Sequence, residues 1–212
     1  MPDISTMRQE YTKNGLRRGD LDENPFKQFE KWFNEAVDVD HLEPNAFTLS
    51  TVGNDMKPSQ RTVLLKMYDE KGFVFFSNYG SKKSQQIEEN PNVSAHFAWL
   101  SLERQVRIEG KIEQISKTES LKYFLSRPKG SQLGACVSHQ SQVVNARSVL
   151  ESKFEQIRQK FSKGEIPFPS FWGGYMIKPT FFEFWQGGHD RLHDRFTFTL
   201  EENEWTINRL EP

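Results

Sequence analysis

The stretch "EFWQGGHDRLHDRFTFTL" carries several cationic side chains in a segment whose ends are rich in aromatic and β-branched residues. Alternate residues of an extended strand point to the same face, so the spacing predicts that Arg191, His193 and Arg195 share one face. They would span roughly 13 Å at about 3.3 Å per residue. Three potential cations in a row repel one another unless an anion lies opposite them. The segment is therefore either the wall of an anion-binding site or a solvated edge strand whose charges prevent edge-to-edge pairing.

Two further groups of cations interrupt apolar or helical sequence. In "QRTVLLKMY", Arg61 and Lys66 leave opposite faces of an ideal strand, so both reach one ligand only if the chain bends or bulges between them. In "GSKK", Ser81, Lys82 and Lys83 stand beside the first backbone N–H groups of a predicted helix, which favours binding of a phosphate. The alternative interpretations are solvated cations in the first segment and a polar helix end in the second.

A fourth group combines different donors. Tyr123 and Arg127 are four residues apart and share a helix face, with Ser131 just past the predicted helix end. A phenol, a guanidinium and a serine hydroxyl form a common phosphate-binding set. The sequence thus holds more anion contacts than one phosphate needs. Dinucleotide fingerprints, Walker loops, zinc-ligand spacings and Gly-x-Ser-x-Gly elbows are absent from it.

Composition narrows the class of protein. The formal net charge of -1 over 212 residues gives no general attraction to nucleic acid or to an anionic membrane. The single cysteine, Cys136, excludes an internal disulfide and fits a reducing compartment. The sequence lacks an apolar run of membrane-spanning length and an N-terminal signal core, so a cytoplasmic protein is expected. His41, His96 and His139 lack metal-ligand spacing and are expected to be structural.

The elements that position these groups are mainly β-strands. Residues 1–23 are polar and aperiodic and are expected to form a flexible arm, and residues 24–212 a single domain. Short Gly, Asp and Pro turns between the strand-like runs indicate antiparallel pairing. About eight strands with inserted helices predict a small, Greek-key-like antiparallel barrel. The strand-like runs are "AFTLSTV", "QRTVLLKMY", "FVFFS", "NVSAHFAWLS", "RQVRIEGKIEQI", "FWGGYMIKP", "TFFEFWQGG", "HDRFTFTL" and "EWTINRL".

Four helices are predicted from caps and periodicity. The first begins after Asn24, and its apolar stripe is Phe26, Phe29, Trp32, Phe33, Ala36 and Val37. "GSKKSQQIEENP" forms the second, with Ser81 as cap, and "SKTESLKYFLSR" the third, with Ser116 and Glu119 at capping-box spacing. The segment "PKGSQLGACVSHQSQ" is expected to be a loop. The fourth helix, "NARSVLESKFEQIRQKFSKG", has Asn145 as cap and one apolar face made of Ala146, Val149, Leu150, Phe154, Ile157 and Phe161.

Six motifs together resemble the pyridoxamine 5′-phosphate oxidase family, from about Arg8 to Pro212. They are "RTVLLK", "NYGSKK", "ERQVRIEG", "YFLSRPKGSQLGACVSHQS", "PSFWGGY" and "EFWQGGHDRLHDR". The resemblance implies an FMN-binding split β-barrel that acts as a homodimer with two active sites at the subunit interface. It also explains the excess of anion contacts, because FMN and the vitamin B6 substrate each carry a phosphate.

The resemblance implies a set of site residues. FMN would contact Arg61, Thr62, Val63, Leu64, Leu65, Lys66, Phe76, Ser77, Lys82, Lys83, Gln105, Gln140, Ser141, Trp185 and Arg195. The substrate phosphate would contact Lys66, Tyr123, Arg127 and Ser131. Arg191 and His193 would act near the reacting carbon, and Arg8 and Tyr11 belong to an arm that closes over the substrate. The family often has Arg at the position of Lys82 and Tyr at that of Phe76, so both FMN contacts are expected to be weaker.

The implied chemistry is oxidation of pyridoxamine 5′-phosphate or pyridoxine 5′-phosphate to pyridoxal 5′-phosphate. A hydride equivalent passes from the C4′ carbon to FMN, and oxygen reoxidises the flavin to give hydrogen peroxide. FMN is expected rather than FAD, because the cations suit a terminal phosphate and the sequence lacks a dinucleotide fingerprint. Two alternatives stay open: a split-barrel flavin enzyme with another substrate or reductant, and a non-catalytic flavin- or phosphate-binding module.

Overall fold

The computed structural model describes residues 1–7, 10–13, 15–39, 42–138, 140–162 and 164–212. In this part of the chain it has nine strands and five α-helices, and every strand pair whose register is given is antiparallel. The strands are β1 Ala46–Val52, β2 Pro58–Leu64, β3 Met67–Asp69, β4 Gly72–Asn78, β5 Asn92–Trp99, β6 Arg104–Gln114, β7 Trp172–Gln186, β8 Asp194–Glu201 and β9 Glu204–Leu210. The helices are α1 Pro25–Asp38, α2 Lys82–Glu89, α3 Lys117–Ser126, α4 Lys129–Val137 and α5 Arg147–Lys160.

The strands are hydrogen-bonded in the order β2-β1-β5-β6-β7-β4-β3, with β8 beside β7 and β9 beside β8. The chain divides into two compact units. The first unit comprises Met1–Leu49, Ser94–Gly110 and Pro179–Pro212, and the second comprises Ser50–Val93 and Lys111–Lys178. The single domain expected over residues 24–212 stays a prediction, because β1, β5, β6 and β7 each contribute residues to both units.

Helix α1 supplies much of the core of the first unit. It begins as predicted, with Pro25 in the first turn and the Asn24 side chain accepting a hydrogen bond from the Phe26 amide at 2.9 Å. Trp32 is buried and packs edge-on against Phe184 of β7. Val37 was predicted on the buried stripe but is 48% exposed, because it lies near the end of the helix at the edge of that stripe.

One long strand replaces two predicted ones near the C-terminus. β7 runs unbroken for 15 residues through Pro179, which lacks the N–H that a ladder needs. The proline falls between the residues that pair with β4, 172–177, and those that pair with β8, 181–186, so neither of these two ladders needs its missing N–H.

The prediction that Arg191, His193 and Arg195 share one strand face is wrong. β8 begins only at Asp194, and the preceding residues form a 3₁₀ turn in which Asp190 and Arg191 have φ values of 52° and 66°. The His193 amide donates to the Arg191 carbonyl at 3.0 Å, which closes a tight bend. Only Arg195 lies on the strand, opposite Trp185.

In the second unit, the chain leaves the strand conformation between Arg61 and Lys66, which is the condition under which both could reach one ligand. β2 ends at Leu64 and β3 starts at Met67, while the Lys66 amide donates to the Val74 carbonyl at 2.8 Å. Helix α2 follows Ser81 as predicted, although the Ser81 hydroxyl contacts the hydroxyl of Ser84 at 3.0 Å instead of capping the backbone.

Helix α3 has the predicted capping box between Ser116 and Glu119. The predicted loop after it is wrong, because residues 129–137 form α4. Two glycines lower the helix propensity of this segment, but Leu133 is buried and packs in a cluster with Phe124 and Trp172. Tertiary packing therefore overrides the local preference.

Helix α5 begins one residue later than predicted, with Ala146 at the N-cap position instead of Asn145. Phe154, Ile157 and Phe161 pack against the cluster around Phe124 as expected. The predicted apolar face is only partly covered, since Val149 and Leu150 are exposed. In the described part of the chain, none of the helices is both long and apolar enough to cross a bilayer.

Candidate active site

A pocket of about 840 Å³ lies in the second unit. Its charged lining consists of Arg61, Lys66, Lys82, Lys83 and Arg127, and carboxylates are absent from the lining residues that the structure describes. We call it the cationic pocket. Its volume is in the range of small-molecule and cofactor sites, and its charge selects for an anion.

Arg61 projects from β2 into the cationic pocket. Its Nη1 donates to Thr51 Oγ1 at 2.6 Å and its Nη2 donates to Ser59 Oγ at 2.9 Å. Burial lowers the pKa of this guanidinium below its usual value. Both of these partners are neutral hydroxyls, and the two hydrogen bonds orient the guanidinium.

Lys83 is held in the same manner, in the first turn of α2. Its Nζ donates to Ser77 Oγ at 2.9 Å, to Ser81 Oγ at 3.2 Å and to Gln140 Oε1 at 2.8 Å. Burial, and to a smaller extent the Arg61 cation, lowers the pKa of Lys83 to about 8. An anion in the pocket would supply the negative charge that these partners lack.

The segment after α4 returns to the start of α2. The Lys82 amide donates to Ser141 Oγ at 3.2 Å, and Ser77 Oγ donates to Gln140 Oε1 at 3.3 Å. The structure thus brings Ser77, Lys82, Gln140 and Ser141 to the lining of one pocket with Arg61 and Lys83. Gln140 and Ser141 are more than 50 residues from the others in sequence.

The residues expected to bind a substrate phosphate line the same pocket: Lys66, Tyr123, Arg127 and Ser131. The Tyr123 ring stacks on Phe76 with ring centroids 3.8 Å apart. Burial raises the pKa of Tyr123 and lowers that of Arg127. Arg127 Nη1 is buried without a hydrogen-bond partner among the described residues, so it can donate to a ligand.

Trp172 is a pocket residue that the sequence reasoning missed. The Arg127 guanidinium lies 4.7 Å from the centroid of its ring, and Phe76 stacks on it at 5.2 Å. A buried aromatic at the start of a strand is more typical of a core than of a site, so the residue type of Trp172 did not mark it as a site residue.

Thr62, Val63 and Leu64 also line the cationic pocket as expected. Leu65 does not belong to the lining, because its side chain is buried in the core, 4% exposed. A contact from Leu65 to a flavin would therefore use its backbone.

Gln105, Trp185 and Arg195 line a different pocket of about 290 Å³ in the first unit. The buried residue Glu183 contributes its carboxylate to the lining, so we call it the carboxylate pocket. Glu183 Oε1 accepts from Arg195 Nε at 2.7 Å, and Oε2 accepts from Arg107 Nη2 at 2.9 Å. Glu183 was not predicted, because the pairing of a strand carboxylate with distant arginines has no local signal.

His193 is fixed by the turn that precedes β8. Its Nδ1 accepts a hydrogen bond from the Gly188 amide at 3.2 Å, so the neutral ring carries its proton on Nε2. Burial first, and then the Arg191 and Arg195 cations, lower the pKa of His193. The ring lies 4.7 Å from Trp185 and 5.5 Å from Tyr11.

The remaining predicted residues differ in how they are placed. Arg191 is exposed on the 3₁₀ turn. Arg8, expected to close over the substrate, lies outside the described residues, as do His41 and His139. His96 lies 3.0 Å from Gln105 through its Nε2 atom and lines the carboxylate pocket.

Comparison with known proteins gives matches along most of the chain. Residues 33–161 match the family model "Pyridoxamine 5′-phosphate oxidase", and residues 172–212 match the model "Pyridoxine 5′-phosphate oxidase C-terminal dimerisation region". The pyridoxine/pyridoxamine 5′-phosphate oxidase of Aliarcobacter butzleri is 67% identical over 211 residues, which cover 99% of this chain and 100% of that protein. The protein of the same name from Crocosphaera subtropica is 59% identical over 213 residues, at 99% and 100% coverage.

Solved structures agree with the fold. The structure of PhzG from Burkholderia lata in complex with tetrahydrophenazine-1-carboxylic acid has a TM-score of 0.90 at 24% identity, covering 96% of this chain and 100% of that chain. A pyridoxamine 5′-phosphate oxidase-related, FMN-binding protein from Nostoc punctiforme has a TM-score of 0.72 at 14% identity, with coverage of 87% and 97%. The predicted antiparallel split-barrel fold is confirmed.

Proposed function

We propose, from the premise that this chain belongs to the pyridoxamine 5′-phosphate oxidase family, that it makes pyridoxal 5′-phosphate with FMN as cofactor. The chain is an oxidase, as its full-length relatives are. Its proposed substrates are pyridoxamine 5′-phosphate and pyridoxine 5′-phosphate, with oxygen as electron acceptor and hydrogen peroxide as the second product.

The observation that carries the proposal is the charge of the cationic pocket. Its lining offers two groups of donors for two phosphates. Arg61 and Lys83, with Lys82 at the start of α2, suit the phosphate of FMN. Lys66, Tyr123, Arg127 and Ser131 suit the phosphate of the substrate. The buried Nη1 of Arg127 fits such a ligand, since an unsatisfied buried donor is costly unless something binds it.

We propose that the protein acts as a homodimer whose two active sites lie at the subunit interface. The match of residues 172–212 to a dimerisation region supports the dimer. Gln105, Trp185 and Arg195 line the carboxylate pocket, whereas the other proposed flavin residues belong to the second unit. In the proposed dimer, these three residues of one protomer complete the flavin site of its partner.

The protein groups bind, orient and exchange protons, while bound FMN would supply the two-electron acceptor that oxygen then regenerates. The phosphate contacts hold the ester so that its C4′ carbon has one position. Arg191 orients the substrate. His193 assists proton movement through Nε2, because its Nδ1 is occupied by the Gly188 amide.

The decisive experiment is an oxidase assay on the purified protein with mass analysis of the released cofactor. We expect a yellow protein that releases FMN and produces peroxide with pyridoxamine 5′-phosphate and pyridoxine 5′-phosphate. Recovery of FAD would contradict the cofactor. Turnover that needs a nicotinamide reductant would favour another split-barrel enzyme, and a yellow protein without turnover would favour a binding module.

A further inference from the structure

We propose that Glu103 is a positioning residue that anchors the N-terminal arm and thereby holds Tyr11 against the His193 ring. The effect on turnover rests on the proposed function. The anchoring itself does not, because it can be measured without substrate.

The Glu103 carboxylate binds two successive backbone amides of the arm. The Thr12 amide donates to Oε2 at 3.0 Å and to Oε1 at 3.2 Å, and the Lys13 amide donates to Oε2 at 3.0 Å. Described residues 10–13 form neither helix nor strand, so their backbone lacks the support of a ladder. Charge-assisted hydrogen bonds are stronger than neutral ones, so one carboxylate can fix this short segment.

Glu103 is itself held in place by its own backbone. Its φ of 55° lies in the left-handed region, where it ends the 3₁₀ turn Leu100–Leu102. Its carbonyl oxygen accepts from the Gly187 amide at 2.8 Å and from Gln186 Nε2 at 3.2 Å. The anchor is therefore tied to the end of β7, which leads into the turn that carries His193.

Tyr11 lies where this anchor directs the arm. A Cβ atom on Gly187 would come within 2.7 Å of the Tyr11 ring, so the ring sits directly on the glycine backbone. The Tyr11 ring makes edge contacts with Trp185 at 5.6 Å and with His193 at 5.5 Å. The Glu103 side chain acts on the site through the arm, since its carboxylate contacts Thr12 and Lys13.

The test uses the FMN-loaded protein with Glu103→Ala and Glu103→Gln. The control is Glu113→Gln, which breaks the exposed ion pair between Glu113 and Lys178. Hydrogen exchange of the Thr12 and Lys13 amides is expected to accelerate about tenfold in Glu103→Ala, because hydrogen bonds to a charged acceptor are lost. Glu103→Gln keeps one acceptor oxygen and is expected to fall between Glu103→Ala and the wild type. The control should match the wild type.

The same variants are assayed for turnover and flavin content. We expect the KM for pyridoxamine 5′-phosphate to rise about tenfold in Glu103→Ala with kcat and FMN content little changed, since the lost contacts order the arm. Unchanged amide exchange in both variants would overturn the anchoring, and faster exchange with an unchanged KM would overturn its role in substrate binding. If Glu103→Ala does not fold, Glu103→Gln decides both points. A wild-type protein without oxidase activity but with the exchange difference would refute the proposed function and leave the anchor standing.

Discussion

The cations of the two pockets have different kinds of partner. In the cationic pocket, Lys83 donates to hydroxyl and amide oxygens, and Arg127 lies on the Trp172 ring. In the carboxylate pocket, both arginines donate to Glu183. Neutral partners orient a cation but leave its charge available to a ligand, whereas a carboxylate cancels much of that charge. The difference separates cations poised for an anion from cations that also stabilise the fold.

The largest effect is expected from removing a cation with neutral partners. Arg127→Ala should weaken apparent binding of pyridoxamine 5′-phosphate by about 2–5 kcal/mol, because a positioned charge contact is lost. The free energy of unfolding should stay the same or rise, since Arg127 Nη1 is buried without a partner among the described residues. Steady-state kinetics and urea unfolding measure the two quantities.

The control for Arg127→Ala is Arg147→Ala, which removes an exposed arginine paired with Glu151. It should change neither quantity appreciably. If Arg127→Ala destabilises the fold and leaves substrate binding intact, the contrast between the pockets is wrong.

An intermediate effect is expected from removing the carboxylate. Glu183→Gln should lower the free energy of unfolding by about 1–3 kcal/mol, because the Glu183 side chain is 8% exposed and binds two arginines. FMN retention should also fall, since Glu183 orients Arg195 in the proposed flavin site. Urea unfolding and flavin absorbance after dialysis check both results. The control is Glu151→Gln, which changes the exposed pair of Arg147 and Glu151. If Glu183→Gln lowers the free energy of unfolding no more than this control, Glu183 does not have the expected structural role.

The last expected effect is a pH dependence at Lys83. Its folded pKa of about 8 lies below its ordinary value of 10.5, so between these values the unfolded chain binds more protons. The unfolding free energy of the FMN-free protein, relative to Lys83→Met, should therefore rise with pH from about 8 to 10.5. FMN affinity should fall as pH rises through about 8, where the ammonium loses its charge. Titration of both proteins with FMN at several pH values tests the expected fall in affinity. Parallel pH profiles of FMN affinity for the two proteins would contradict it.

Local sequence patterns predicted the features that depend on neighbouring residues, such as helix starts. Asn24 and the capping box at Ser116 predicted two helix starts, and both helices begin there. Four cations could be named as candidates because they interrupt strand-like or helix-start sequence, and all four line the cationic pocket: Arg61, Lys66, Lys82 and Lys83. Gln140 and Ser141 were named only through the family resemblance.

The features that the sequence did not predict depend on backbone conformation and on contacts between residues far apart in the chain. The left-handed backbone of Asp190 and Arg191 removed the expected strand face, and packing of Leu133 made a helix from a glycine-containing segment. Trp172 and Glu183 gain their roles from partners at least 12 residues away in sequence. No spacing rule identifies such partners in advance.

The sequence of helix α4 should make one wall of the cationic pocket prone to local unfolding. Gly130 and Gly134 each cost a helix about 1 kcal/mol relative to alanine. A Cβ atom at either position would meet nothing within 4 Å, so neither glycine is required by packing. Leu133 is the one buried residue of α4. Three other residues of this helix line the cationic pocket: Ser131, Gly134 and Ala135. Helix α4 should therefore unfold locally at a lower free energy than the buried strand β4. In native-state hydrogen exchange, the α4 amides should exchange faster than the β4 amides.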